Sequence, residues 1–99
     1  MTYPFAAPRL RVAFVGSWVP RRCGIATFTR DMRDAVLTAD PAIDGAVVAI
    51  DEPGASRRYD DAVVGRIRQD VPASYRAAAT TVALWGADVV NVQHEFGLY

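Results

Sequence analysis

The run Leu10–Gly16, LRVAFVG, is apolar at nearly every position and closes on glycine. A strand with one wet face alternates polar and apolar residues, whereas a run without alternation has to be covered on both sides. That requirement points to a sheet sandwiched between helices, and two stretches have the right period to supply them. From Gly24, the apolar residues Ile25, Phe28, Met32, Ala35 and Val36 recur at three- and four-residue steps. Arg30, Asp31, Arg33 and Asp34 fall mainly elsewhere, which predicts an amphipathic helix of about four turns. Asp40-Pro41 stops it. Farther on, Pro72 stands where a helix start tolerates proline, and Tyr75, Ala78, Ala79, Val82 and Trp85 form a second stripe. Gly86 is its expected C-terminal stop, and Trp85, on the stripe, is expected in the core.

The remaining apolar runs complete a sheet. Ala46–Ile50 (AVVAI) predicts a second buried strand ending at Asp51, and Asp88–Gln93 (DVVNVQ) a last one. In Ala62–Arg68, Val63, Gly65 and Ile67 alternate with Val64, Arg66 and Arg68, which suits a short edge strand or, alternatively, a helical turn. Residues 1–9 carry two prolines and no periodicity and are expected to be a flexible lead-in. The predicted class is therefore α/β, a partial Rossmann-like three-layer domain over residues 10–99 with a mostly parallel sheet. Right-handed crossovers order its strands 3-2-1-4.

Composition narrows the function classes. Ninety-nine residues fill one small domain but cannot build two lobes around a cleft. Eleven basic residues, all arginine, balance eleven acidic ones, so the overall field favours neither a nucleic acid nor an anionic membrane. Arginine without lysine is what a GC-rich bacterial coding sequence produces. A single cysteine, Cys23, excludes an intrachain disulfide. No signal-peptide pattern opens the chain and no apolar run approaches 18 residues, so a cytoplasmic protein without a transmembrane segment is expected.

In the order 3-2-1-4, ligands are expected at the C-terminal ends of strands one and four, where the connections leave on opposite faces. The two least ordinary segments follow those strands: Gly16–Thr27 (GSWVPRRCGIAT) and Gln93–Gly97 (QHEFG). A helix N-terminus exposes unpaired N–H groups and the positive end of its dipole. Gly24 lets that backbone approach a ligand, and Arg21 and Arg22 add fixed charge. This segment is either a phosphate-facing loop or a plain strand-to-helix connection with solvated arginines. It lacks both the triple-glycine dinucleotide fingerprint and the lysine of a P-loop. Cys23 either has a lowered pKa at the helix start or simply fills the loop. His94, the only histidine, stands at a strand end, which is a site position. Glu95 is a base, a hydrogen-bond acceptor or a cap, and no second ligand at helical spacing suggests a metal. Trp18 stacks on a ligand or anchors its loop, Tyr59 and Tyr75 pack or cap, and Asp51 occupies the place where dinucleotide folds hold a ribose.

Taken together, PRRCGIATFTRDM (Pro20–Met32) and VVNVQHEFG (Val89–Gly97) resemble the N-terminal lobe of bacterial glycosyltransferase family 4 proteins, which have the two-Rossmann-lobe GT-B architecture. One subgroup of that family carries a P-R-x-C-G-I-A-x-F loop and a Q-H-E-[FY]-G strand end. Similar residues also fall at Tyr59, Val63, Ile67, Tyr75 and Ala78-Ala79, so the likeness covers about residues 10–99. It implies transfer of a sugar from a nucleotide-diphosphate donor to a carbohydrate or glycolipid acceptor, with retention and with neither a cofactor nor an essential metal. The first loop, here Arg21, Arg22, Cys23, Gly24 and Thr27, is then expected near the donor phosphate. Cys23 departs from the family by standing where the first of two adjacent glycines is common. His94, with Glu95 beside it, is expected near the transferred sugar.

The resemblance also implies a C-terminal lobe that binds the nucleotide and carries a pair of glutamates, and no counterpart lies within these 99 residues. A chain cut after the fourth strand is expected to be inactive alone. Two other readings are a free-standing Rossmann-like module for a phosphorylated small molecule and a truncated remnant without function.

Overall fold

A computed structural model describes residues 9–94, so Glu95 lies outside the described residues. The elements follow in the order β1 (Arg11–Gly16), α1 (Gly24–Ala39), β2 (Asp44–Asp51), β3 (Val63–Arg68), α2 (Pro72–Trp85) and β4 (Val89–Val92). All strand pairs are parallel and the sheet order is β3-β2-β1-β4. The chain is thus an α/β domain with a partial Rossmann-like sheet, as its apolar runs predict. Residues 63–68 form a strand, which resolves that alternative. A register shift between Val47 and Val48 lets β3 join β2.

The two central strands, β1 and β2, are buried because helices cover both faces. On one face α1 lays Met32 and Val36 over Val12, Phe14, Val47 and Ala49. On the other, α2 brings Tyr75, Ala78 and Val82 against Val15, Val48, Ile50 and Ile67. Two expectations about the helix stripes need correction. Phe28 is 52% exposed, and the fully buried residues of α1 are Ala26 and Thr29. The inward face is rotated toward small residues because α1 rests close on the end of β1. Trp85 is half-buried, not core: it lies under the Arg11 guanidinium, 4.2 Å from the ring centroid, while its carbonyl accepts from Arg11 Nε at 3.0 Å. Being the last residue of α2, it reaches the sheet's rim. Gly86 caps α2 at φ 87°, a left-handed conformation that glycine adopts without penalty.

β2 runs two residues earlier and one later than its apolar core, because Asp44 and Asp51 are held by arginines and need not leave the sheet. β4 is shorter than its apolar run and forms the edge of the described sheet, with Val92 54% exposed. Beside it, Val15, Tyr75, Ala78, Val82 and Val90 line an apolar groove of about 390 Å³ on the α2 face. No helix among the described residues is long and apolar enough to cross a membrane.

One close approach fixes the upper end of the sheet. A Cβ on Gly16 would stand 2.9 Å from Thr29 Oγ1 and 3.1 Å from Gln93 Cβ. Glycine therefore lets β1, β4 and the first turns of α1 meet. Thr29 Oγ1 cannot swing away freely, because it donates to the Ile25 carbonyl at 2.7 Å. Gly16→Ala is expected to destabilise the chain by about 1–3 kcal/mol through overpacking, measured by urea denaturation. A change within error would mean that the three segments are loosely packed there.

Candidate functional site

β1 and β4 are neighbours, and the Gln93 N–H donates to the Val15 carbonyl at 2.8 Å. The chain therefore leaves β4 toward His94 beside the point where β1 gives way to its loop. His94 is exposed at the end of this path. The switch point anticipated from strand order is formed by these residues: Gly16 at the end of β1, the loop 17–23, the start of α1, and Gln93-His94.

The loop is shaped from within. Ser17 is fully buried and Trp18 is 2% exposed, packed with Phe14 and Val47, so Trp18 anchors the loop and offers no ring to a ligand. The Val19-Pro20 peptide bond is cis. Arg21 N–H then donates to the Trp18 carbonyl at 3.0 Å, and Cys23 N–H to the Arg21 carbonyl at 3.2 Å. These two bonds fold residues 18–23 into consecutive turns that deliver the chain to the helix.

Cys23 is the N-cap of α1: its backbone is extended (φ −154°) and its Sγ accepts from the Ala26 N–H at 3.4 Å. An extended backbone suits any residue, so a second glycine is not required here. The first intrahelical bond runs from the Thr27 N–H to the Cys23 carbonyl at 3.3 Å. The N–H groups of Gly24 and Ile25 precede it and have no intrahelical partner. A Cβ at Gly24 would meet nothing within 4 Å, and no acidic residue occupies the first turn. Arg22, Gly24 and Thr27 are exposed. This helix end thus presents free donors, a fixed dipole and one outward guanidinium, which is the chemistry of an anion seat.

Arg21 is placed differently from its neighbour. Its NH1 donates to the Ile50 carbonyl at 3.1 Å, and its Nε pairs with Glu52 Oε2 at 3.2 Å. The guanidinium turns toward the end of β2, so Arg22 is left as the arginine of this pair that faces out.

A second cluster, largely unseen in the sequence, surrounds Asp51. Its side chain is 0% exposed, and its Oδ1 accepts from the Tyr59 hydroxyl. Arg57 approaches Oδ1 at 3.6 Å, and Arg66 approaches Oδ2 at 3.9 Å. Arg57 also binds both oxygens of Glu52, and the Arg66 guanidinium lies 4.5 Å from the Tyr59 ring centroid. The carboxylate is thereby enclosed in its own network, which disfavours the ribose-binding reading. Of the two expectations for Tyr59, packing or capping, the structure shows packing, against the core on the α1 face, while its hydroxyl closes off this acid. The missed signal was the charge of Asp51 at the end of a wholly apolar strand, which demands cations nearby. Arg57, Arg58, Arg66 and Arg68 in the next segment were the candidates.

The electrostatics of this cluster follow from those contacts. The hydrogen bond from Arg57 holds the Glu52 carboxyl down at about 2. Burial pushes the Tyr59 hydroxyl up to about 12, and its bond to Asp51 adds to the effect. Among the described residues, no three His, Cys, Asp or Glu side chains gather as a metal site requires. The apolar groove beside α2 has no charged lining residue and is a packing surface rather than part of the anion seat.

The Tyr59 shift has a definite sign. Burial first and the bond to Asp51 second favour the protonated hydroxyl in the fold, so the contribution of Tyr59 to stability is full below the ordinary pKa of 10 and is lost as pH rises through about 12. Ultraviolet titration at 295 nm should find one tyrosinate appearing near pH 12, and Tyr59→Phe should remove that late step. A single transition near pH 10 for all tyrosines would contradict the enclosed pair.

Searches of family models, of curated proteins and of solved structures give no match to this chain.

Proposed function

We propose that this chain forms the acceptor-side Rossmann-like lobe of a retaining glycosyltransferase that uses a nucleotide-diphosphate sugar. The observation that carries the reading is the adjacency of β1 and β4, which brings the exposed start of α1 and the His94 end of β4 to one rim of the sheet. The two motifs that resemble family 4 enzymes are the two segments that meet there.

The chemistry fits those groups. Breaking the bond between a sugar and a nucleoside diphosphate leaves negative charge on the departing phosphate. Oriented N–H groups in a fixed frame stabilise such charge without reorganising as it develops. The Gly24 and Ile25 N–H groups, the dipole of α1 and the Arg22 guanidinium are the donors for that role. His94 would orient the sugar or stabilise charge as the anomeric carbon becomes oxocarbenium-like. Glu95, next in the chain, belongs to the same proposal. Arg21 is removed from the phosphate ligands by its bonds to Ile50 and Glu52. The reaction further requires a nucleotide-binding lobe of the kind these 99 residues do not include, and the acceptor would be a carbohydrate or glycolipid.

The test is sugar transfer and donor hydrolysis across a panel of nucleotide sugars, using the chain joined to its second lobe. His94→Ala is expected to lose most turnover, on the order of a hundredfold or more if the imidazole contributes as general acid–base or electrostatic groups do. Thermal unfolding of the variant, measured alongside, separates loss of turnover from loss of the fold. Undiminished transfer by His94→Ala would remove this residue from the mechanism, and the absence of any donor turnover would remove the reaction itself.

A further inference from the structure

The Arg21 side chain is only 18% exposed although it sits in a loop lined by solvent. It crosses to the end of β2, where it meets the Ile50 carbonyl and Glu52. Glu52 in turn grips Arg57, and Arg57 reaches the fully buried Asp51, which the Tyr59 hydroxyl also binds. A continuous path of charged contacts therefore runs from a buried anchor at the end of β2 to the loop that precedes α1.

We infer that Glu52 is a positioning residue for the anion seat, holding Arg21 so that the following turn presents Arg22 and the first N–H groups of α1 outward. This rests on the phosphate-binding reading above and adds to it a control element in the connection between β2 and β3. The geometry gives three reasons. Arg21 lies one residue before Arg22, and its own backbone N–H and C=O form the two turns of the loop, so fixing its side chain fixes both turns. The guanidinium makes its contacts in one plane, to a carbonyl and a carboxylate together, and a flexible ammonium could not hold both. Glu52 is itself held from behind by Arg57, which makes it a rigid support rather than a mobile surface acid. An isolated surface ion pair contributes little, but a pair at the end of an anchored network restricts geometry.

The alternative use of Arg21, as a phosphate ligand kept in reserve, makes the opposite prediction. In that case, freeing it from Glu52 strengthens anion binding. In the positioning role, freeing it loosens the loop and weakens binding. The two are separated by substitutions that keep shape and remove charge.

The experiment compares the whole chain with Glu52→Gln, Arg57→Gln and the double variant. One readout is amide hydrogen exchange at Arg21 and Cys23, whose N–H groups close the two turns of the loop, with the amides of Val48 and Ile50 as a control for the fold. The other is the dissociation constant for inorganic pyrophosphate. Glu52→Gln should speed exchange at Arg21 and Cys23 about tenfold while Val48 and Ile50 stay protected, and should weaken pyrophosphate binding at least threefold. Arg57→Gln, which lies outside the loop, should produce the same loop effect in the parent and little more in the Glu52→Gln background. Should either variant fail to fold, Arg21→Lys serves instead, with the same faster exchange expected because lysine cannot keep both contacts. Unchanged loop exchange, or tighter pyrophosphate binding by Glu52→Gln, overturns the positioning role. If the parent binds no pyrophosphate, the phosphate reading fails by itself, and the exchange data still decide whether Glu52 orders the loop.

Discussion

Everything at the upper rim depends on how closely β1 approaches what lies above and beside it. β1 is the only strand of the described sheet paired to both β2 and β4 over most of its length, and its last residue has no side chain. At Gly16 the sheet, the first turns of α1 and the exit of β4 come within van der Waals contact. Were β1 to end on a larger residue, α1 would have to lift from the sheet or β4 would have to part from it. Either shift would move the start of α1 and the Gln93-His94 end of β4 away from each other.

The loop above that contact is held by two different kinds of force. Trp18 pins its first half by burial against Phe14 and Val47, an apolar anchor indifferent to charge. Arg21 pins its second half by bonds to the end of β2. Between them lie the proline and the turns, and beyond them Cys23 closes the helix with its sulfur. Thiol sulfur is a weak acceptor, so this cap satisfies the Ala26 N–H without introducing the negative charge that an aspartate would bring. A charged cap would stabilise the helix more and would repel the phosphate that the donor reading places there.

The sequence made the framework legible because apolar continuity and helical period are local properties. LRVAFVG and AVVAI read as strands covered on both faces, right-handed crossovers then place the first three strands in the order 3-2-1, and the fourth most naturally returns to the other side of the first. Details that depend on distant partners were hidden. Phe28 fits a helical stripe by spacing, yet it points to solvent because α1 lies on small residues, Ala26 and Thr29, where it crosses Gly16. Trp85 fits the core by spacing, yet Arg11, at the start of the first strand, draws it to the rim. Arg21 and Arg22 look equivalent as a dipeptide; only the position of Glu52, thirty residues on, divides them. The Asp51 enclosure was legible only in part: an acid closing an apolar run calls for cations, but nothing in the spacing of Arg57, Tyr59 and Arg66 says that these are the groups that converge on it.

That division of the arginines changes what kind of anion seat this can be. Two adjacent arginines on a loop would attract phosphate at long range and with little geometric selectivity. Here one of them is neutralised by Glu52, and the net charge of the whole chain is zero. The attraction left to the seat comes from one guanidinium, a helix dipole and the leading N–H groups, all of which fall off within the first turn. Such a seat gains little from distant charge and much from the exact placement of its donors. In the proposed role, selectivity for a phosphate would reside in the loop's shape, and the residues that hold that shape would matter as much as those that face the anion.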